Sequence, residues 1–101
     1  MAIVGRPTKQ PAERIAYSMD FGDRIQPSDS IASALVTARD KASGADRTTD
    51  LVSGPNAVTG TVVTQPIHAG IDGSKYIVTF QVTTTNGLVY EDELQIKVKE
   101  T

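Results

Sequence analysis

An all-β sandwich is the fold class this 101-residue sequence predicts, and three observations carry that expectation. Two runs of alternating apolar residues lie on either side of Thr85-Asn86-Gly87. A third run over 13–21 alternates in the same way, and clusters of Gly, Pro, Asn and Asp separate the runs. None of these features carries chemistry.

The hairpin over 74–98 is the most legible element. Tyr76, Val78, Phe80 and Val82 share one parity and so project to one face of an extended strand. Lys75, Ile77, Thr79, Gln81 and Thr83 project to the other. The return run places Leu88, Tyr90, Leu94, Ile96 and Val98 inward and Glu91, Glu93, Gln95, Lys97 and Lys99 outward, the pattern of a half-buried antiparallel sheet. Cross-strand partners in a regular hairpin have position numbers of constant sum, so the turn can be tested. A two-residue Asn86-Gly87 loop pairs Phe80 with Glu93 and Val78 with Gln95, setting apolar residues against polar and charged ones. A three-residue loop, Thr85-Asn86-Gly87, pairs Val82 with Tyr90, Val78 with Leu94 and Tyr76 with Ile96, and puts Gly87 at the left-handed position. The second register is therefore expected. It leaves Phe80 facing Asp92, a misfit that a bulge within 91–93 would cure.

The other elements follow in chain order. Residues 1–12 hold two prolines and a glycine with no sustained period, which reads as an extended arm preceding a domain over 13–101. Such an arm is either a frayed terminus or a tether that adds to a neighbouring subunit, with Ile3 and Val4 as anchors. From 13 to 21, Ile15, Tyr17, Met19 and Phe21 alternate with polar or small residues and predict a strand, followed by a loop over 22–29 containing Pro27. The stretch 31–39 fits two patterns. Ser28 could cap a helix whose face is Ile31, Ala34, Leu35, Ala38 and Ala42, while alternation of Ile31, Ser33, Leu35 and Thr37 against Ala32, Ala34, Val36 and Ala38 fits a strand. Residues 41–50 are polar and turn-rich, and Leu51-Val52 is at most a short strand. Residues 58–67 read as one strand near a sheet edge, with Gly60 inside it and Pro66 near its end. A turn at Gly70-Ile71-Asp72-Gly73 then feeds the hairpin. About six or seven strands with turn signals between them predict an immunoglobulin-like sandwich.

Composition bounds the function. Length suits one domain with a modest core. With no cysteine there is neither a disulfide framework nor a thiolate metal site. A net charge of −2 argues against a phosphate-dominated nucleic-acid binder. There is no long apolar run and no leader-like segment after Met1, so the expectation is a soluble chain with no membrane partner.

Candidate chemistry is sparse. His68 stands alone between Ile67 and Ala69, without the partners that catalysis or zinc would need. Glu91, Asp92 and Glu93, with Asp72, could offer oxygen ligands to calcium, but neighbouring strand residues point to opposite faces, and charges that deter edge-to-edge pairing are the plainer reading. No serine sits in a nucleophile elbow, and no glycine-rich loop opens a helix to cradle phosphate. Arg6, Lys9 and Arg14 form a small basic group on and beside the arm. No catalytic residue, cofactor or metal is expected.

Segments along most of the chain resemble a known family. Residues 9–21, Lys-Gln-Pro-Ala-Glu-Arg-Ile-Ala-Tyr-Ser-Met-Asp-Phe, and the later Asp29-Ser30-Ile31-Ala32-Ser33-Ala34 resemble the N-terminal half of small tailed-phage structural proteins of the fibre-tail adaptor or neck type. Gly73-Ser74-Lys75-Tyr76, Thr83-Thr84 with Gly87, and Leu94, Ile96 and Val98 resemble that family's C-terminal hairpin. The sequence departs from the pattern at Phe21 and at Leu35 or Val36, where tryptophan is common, which bears on subtype more than on fold. The resemblance selects strand over helix for 31–39. It implies a non-enzymatic virion component at the neck, tail or capsid surface, assembled in the host cytoplasm and present in symmetric copies. Its partners would be other phage structural proteins, with no direct nucleic-acid contact. Ile3, Val4, Arg6, Pro7 and Lys9 of the arm are the candidate partner contacts. The alternative is a free-standing bacterial immunoglobulin-like module binding a carbohydrate or surface ligand; an enzyme ranks last.

Overall fold

A computed structural model describes residues 3–100, save for the side chain of Val4. Two sheets face each other. The larger holds the arm segments β1 (Ile3–Gly5) and β2 (Thr8–Lys9), then β8 (Val89–Val98), β7 (Lys75–Thr84) and β4 (Ile31–Asp40), in the order β1-β8-β7-β4 with β2 also on β8. The smaller runs β3 (Ile15–Asp20), β6 (Val62–Ile67), β5 (Ala57–Thr59). A single helical turn, α1 (Thr48–Leu51), lies between β4 and β5. The all-β sandwich expected from the alternation is thus the fold. Its core is drawn from both sheets: Met19 and Phe21 beside β6 residues Val63 and Ile67, packed with Val78, Phe80 and Val82 of β7 and Leu94, Ile96 and Val98 of β8. Burying such side chains, at about 1.5–3 kcal/mol each, is what holds a cysteine-free domain together.

The hairpin register is the one that parity selected. Tyr76 pairs with Ile96, Val78 with Leu94 and Val82 with Tyr90. Thr84 N donates to Leu88 O at 2.8 Å, Gly87 N donates to Thr84 O at 3.0 Å, and Gly87 has φ +84°. These bonds close a three-residue loop whose last residue is left-handed. The expected bulge is absent: the register stays regular through Gln81–Glu91, Phe80–Asp92 and Thr79–Glu93. The carboxylate opposite Phe80 is accommodated by a side chain from elsewhere, described below. Leu88, expected inward, is exposed because it precedes β8 and stands at the turn.

The ambiguous alanine-rich stretch is a strand. Val36 and Ala38 are buried against the smaller sheet and Ala34 partly so, while Leu35 and Arg39 face outward, and antiparallel pairing to β7 runs from Ile31 to Asp40 with an irregularity at Ala32. Small inward residues let the two sheets approach; pairing with a central strand outweighs the helical propensity of alanine.

Two expectations need correction. Residues 58–67 are not one strand but a hairpin, because Gly60 sits at φ +60° and reverses the chain, so that Thr59 pairs with Val62. Pro66 has no N–H to offer on the β5 side, and β5 begins only at Ala57, opposite Thr64. Leu51 is not in a strand: it ends α1, whose start is fixed by the Asp46 carboxylate accepting from Thr48 N at 2.9 Å and Thr48 Oγ1 at 2.7 Å. Leu51 is buried, and Val52 follows with an isolated bridge to Ile67. The buried Gln65 amide fastens the next loop by donating to the carbonyls of Gly54 (3.0 Å) and Pro66 (3.1 Å).

Candidate assembly surfaces

Residues from four parts of the chain converge at the end of the sandwich formed by the β7–β8 turn. The loop over 21–30, the β5–β6 turn and the start of β8 join it there. Thr85 N donates to Ser30 O at 2.9 Å, and Phe21 N to Thr61 O at 2.9 Å. The Asp29 carboxylate staples the loop to the turn: its Oδ1 accepts from Thr85 Oγ1 at 2.6 Å, Ser30 N at 2.8 Å and Asn86 N at 3.2 Å. The Thr85 hydroxyl above all, and then the Thr84 hydroxyl and these amides, lower its pKa to about 2 against opposing desolvation. Asp20 accepts from Thr61 Oγ1 and Gly22 N, both at 2.8 Å, and those bonds lower its pKa too, the threonine most.

Arg24, from the same loop, explains the pairing at Asp92. Its Nη2 forms an ion pair with Asp92 Oδ1 and donates to Glu91 O at 3.1 Å. Its guanidinium lies 5.7 Å from the Phe21 ring centroid and 5.8 Å from that of Tyr90. Asp92 is 8% exposed and so needs this cation. Nothing local to residue 24 announces the role, because Glu91 and Asp92, which its guanidinium binds, lie 67 and 68 positions away in sequence.

The outcome is an end surface with Asp20, Asp23, Asp29 and Glu91 around the Arg24–Asp92 pair, whose carboxylate is buried, rimmed by exposed Leu88 and Val89. Contact with a basic, partly apolar surface is what this arrangement offers chemically. It offers no metal cage: among the described residues no three His, Asp or Glu side chains are placed to hold a metal ion. Asp92 points inward, Glu93 lies on the outer face beside Arg39 (3.3 Å), and Asp72 is at the opposite end, accepting from Glu100 N at 3.0 Å. His68 sits past β6, half-buried, with its N–H donated to Leu51 O at 2.9 Å.

The arm lies along β8 in parallel register, Ile3 beside Glu93, Gly5 beside Leu94, Thr8 beside Lys97 and Lys9 beside Val98. Lys97 N donates to Pro7 O at 3.0 Å and Lys99 N to Lys9 O at 2.9 Å. A side chain at Gly5 would meet Leu94 Cδ2 at 3.0 Å, so glycine permits the close approach. Of the five candidate contacts, Arg6 is exposed, Ile3 and Pro7 are half-buried, and the side chain of Val4 lies outside the described residues. Lys9 is 1% exposed and turned inward, its Nζ donating to the carbonyls of Ala69 (2.5 Å), Gln10 (2.7 Å) and Pro11 (3.4 Å). Burial lowers the pKa of that ammonium, with Glu13 opposing. Lys9 therefore pins the arm to its own domain and leaves Ile3, Arg6 and Pro7 nearer the surface.

No curated protein matches the chain. A family model described as "Podophage GP4 fiber-tail adaptor protein gp77" matches residues 9–97, which spans the end of the arm and nearly all of both sheets. By that match the chain belongs to the podophage fibre-tail adaptor family, structural proteins of the phage tail.

Proposed function

We propose that the chain is a rigid spacer in the joint between tail and fibre, docking its acidic turn end onto a basic surface of another tail protein. The observation that carries this reading is the segregation of charge: beyond the Arg24–Asp92 pair, four carboxylates (Asp20, Asp23, Asp29 and Glu91) and, among the described residues, no further cation gather at one end of a body 44 Å long, beside exposed Leu88 and Val89. The opposite end mixes Lys9, Arg14, Lys41, Arg47, Lys75, Lys97 and Lys99 with Glu13, Asp40, Asp46, Asp50, Asp72 and Glu100. Two chemically different ends suit a part that joins two different neighbours. The work is assembly, without catalysis and without direct nucleic-acid contact, since a net negative chain with an acidic end repels phosphate. The protein acts in several symmetric copies put together in the host cytoplasm, with the arm over 1–12 and the body over 13–101 as its two parts and Ile3, Val4, Arg6 and Pro7 among the contacts to neighbours. Reversing the end surface tests this. Asp23→Lys with Val89→Lys changes two exposed positions outside the core, so thermal unfolding should stay within a few degrees while incorporation into particles falls at least tenfold. Normal incorporation would remove the turn end from the docking surface.

A further inference from the structure

The arm differs from the rest of the fold in four ways. Its pairing with β8 is parallel, whereas every other strand pairing among the described residues is antiparallel. Its backbone and Lys9 bond to β8, the adjoining Lys99 and the loop at Ala69, and only a turn over 10–13 joins it to the strand that enters the other sheet at Ile15. That turn holds Pro11 and is closed by Glu13 N on Gln10 O (3.1 Å) and Gln10 N on Glu13 Oε1 (2.7 Å). The seat it fills is specific, with the amides of Lys97 and Lys99, the carbonyl of Ala69 and a gap over Leu94 that admits glycine.

From these features we infer that the seat on β8 is filled by the arm of a second copy of this chain when copies assemble. Opening the turn over 10–13 gives up its two closing bonds and frees the arm, and an identical arm from a neighbour remakes the bonds to β8, Lys99 and Ala69, so exchange costs little beyond those and bringing copies together. An empty seat would leave β8 as an open edge, which favours refilling over exposure. Passing each arm to the next copy is a heterologous contact, and a heterologous contact repeats around a ring when its rotation closes. The inference rests on the reading of this chain as a multi-copy adaptor part, but it involves the arm and β8 and leaves the acidic turn end untouched.

Cross-linking tests it without disturbing the core. The chain has no cysteine, and Thr8 and Lys97 are exposed neighbours in the parallel register, at the strand spacing a disulfide can span. One full chain carries Thr8→Cys, a second carries Lys97→Cys, and a third carries both. After co-refolding at high concentration and oxidation, the two single variants should form a mixed disulfide dimer, and the double variant a ladder of covalent oligomers. The inference is overturned if the single variants stay unlinked, whether the double variant closes on itself as a monomer or forms no bond at all. Either result leaves the reading of the turn end standing, because Asp23→Lys with Val89→Lys tests that surface separately.

Discussion

Phe80 faces Asp92 across β7 and β8, a pairing that is tolerable only because Arg24 reaches over from the preceding loop. Removing the cation should expose that dependence. Arg24→Ala leaves a carboxylate buried beside Phe80, and with Arg24 itself 38% exposed the expected loss is about 1–3 kcal/mol in urea unfolding. Replacing both partners, Arg24→Met with Asp92→Val, should recover most of it, since no charge then remains to be buried. Equal losses in the single and double variants would mean that the buried unpaired carboxylate is not the source of the loss. Asp29 gives the matching prediction for pH. Its pKa of about 2 lies below the ordinary carboxylate value near 3.9, so folding favours the ionised form. Its contribution is whole above that ordinary value and is lost as pH falls through about 2. Between pH 4 and 2 the melting temperature of Asp29→Asn should therefore decline less steeply than that of the parent chain, and parallel slopes would assign acid sensitivity elsewhere.

The β7–β8 hairpin was legible because a strand alternates with period two and a turn of fixed length sets a constant sum, so Val82, Val78 and Tyr76 find their partners by arithmetic. Gly87→Val tests the turn. A β-branched residue at φ +84° should cost roughly 1 kcal/mol or more in thermal unfolding, and an unchanged melting temperature would contradict the left-handed assignment. The same period could not decide β4, where alanines fit a helix as well as a strand until β7 supplied the pairing. Gly60 reads as part of one strand in the sequence because a two-residue reversal, Gly60-Thr61, leaves no gap in the run of valines and threonines. The helical turn ending at Leu51 depends on Asp46 accepting from Thr48, a contact too short-ranged to produce any period. Of the candidate surfaces, the arm was readable as an extended segment, whereas its seat on β8 was not, because Ile3 and Glu93 are neighbours only after the whole chain has folded. The acidic end was hidden for the same reason: Asp20, Asp29 and Glu91 belong to different elements.

Taken whole, the molecule is an elongated sandwich, 44 × 22 × 21 Å, with an acidic tip at one end and an arm strapped along one edge. Such a body transmits position well: a rigid two-sheet core keeps its ends at fixed separation, and docking then needs no change of shape. Membership of the podophage fibre-tail adaptor family gives that geometry its setting. Fibre attachment is the most direct measurement of whether the chain does this work. Particles made without it should carry no fibres and should regain them when the purified full chain is added back, but not when Asp23→Lys with Val89→Lys is added. Particles that keep their fibres in the absence of this chain would contradict the account.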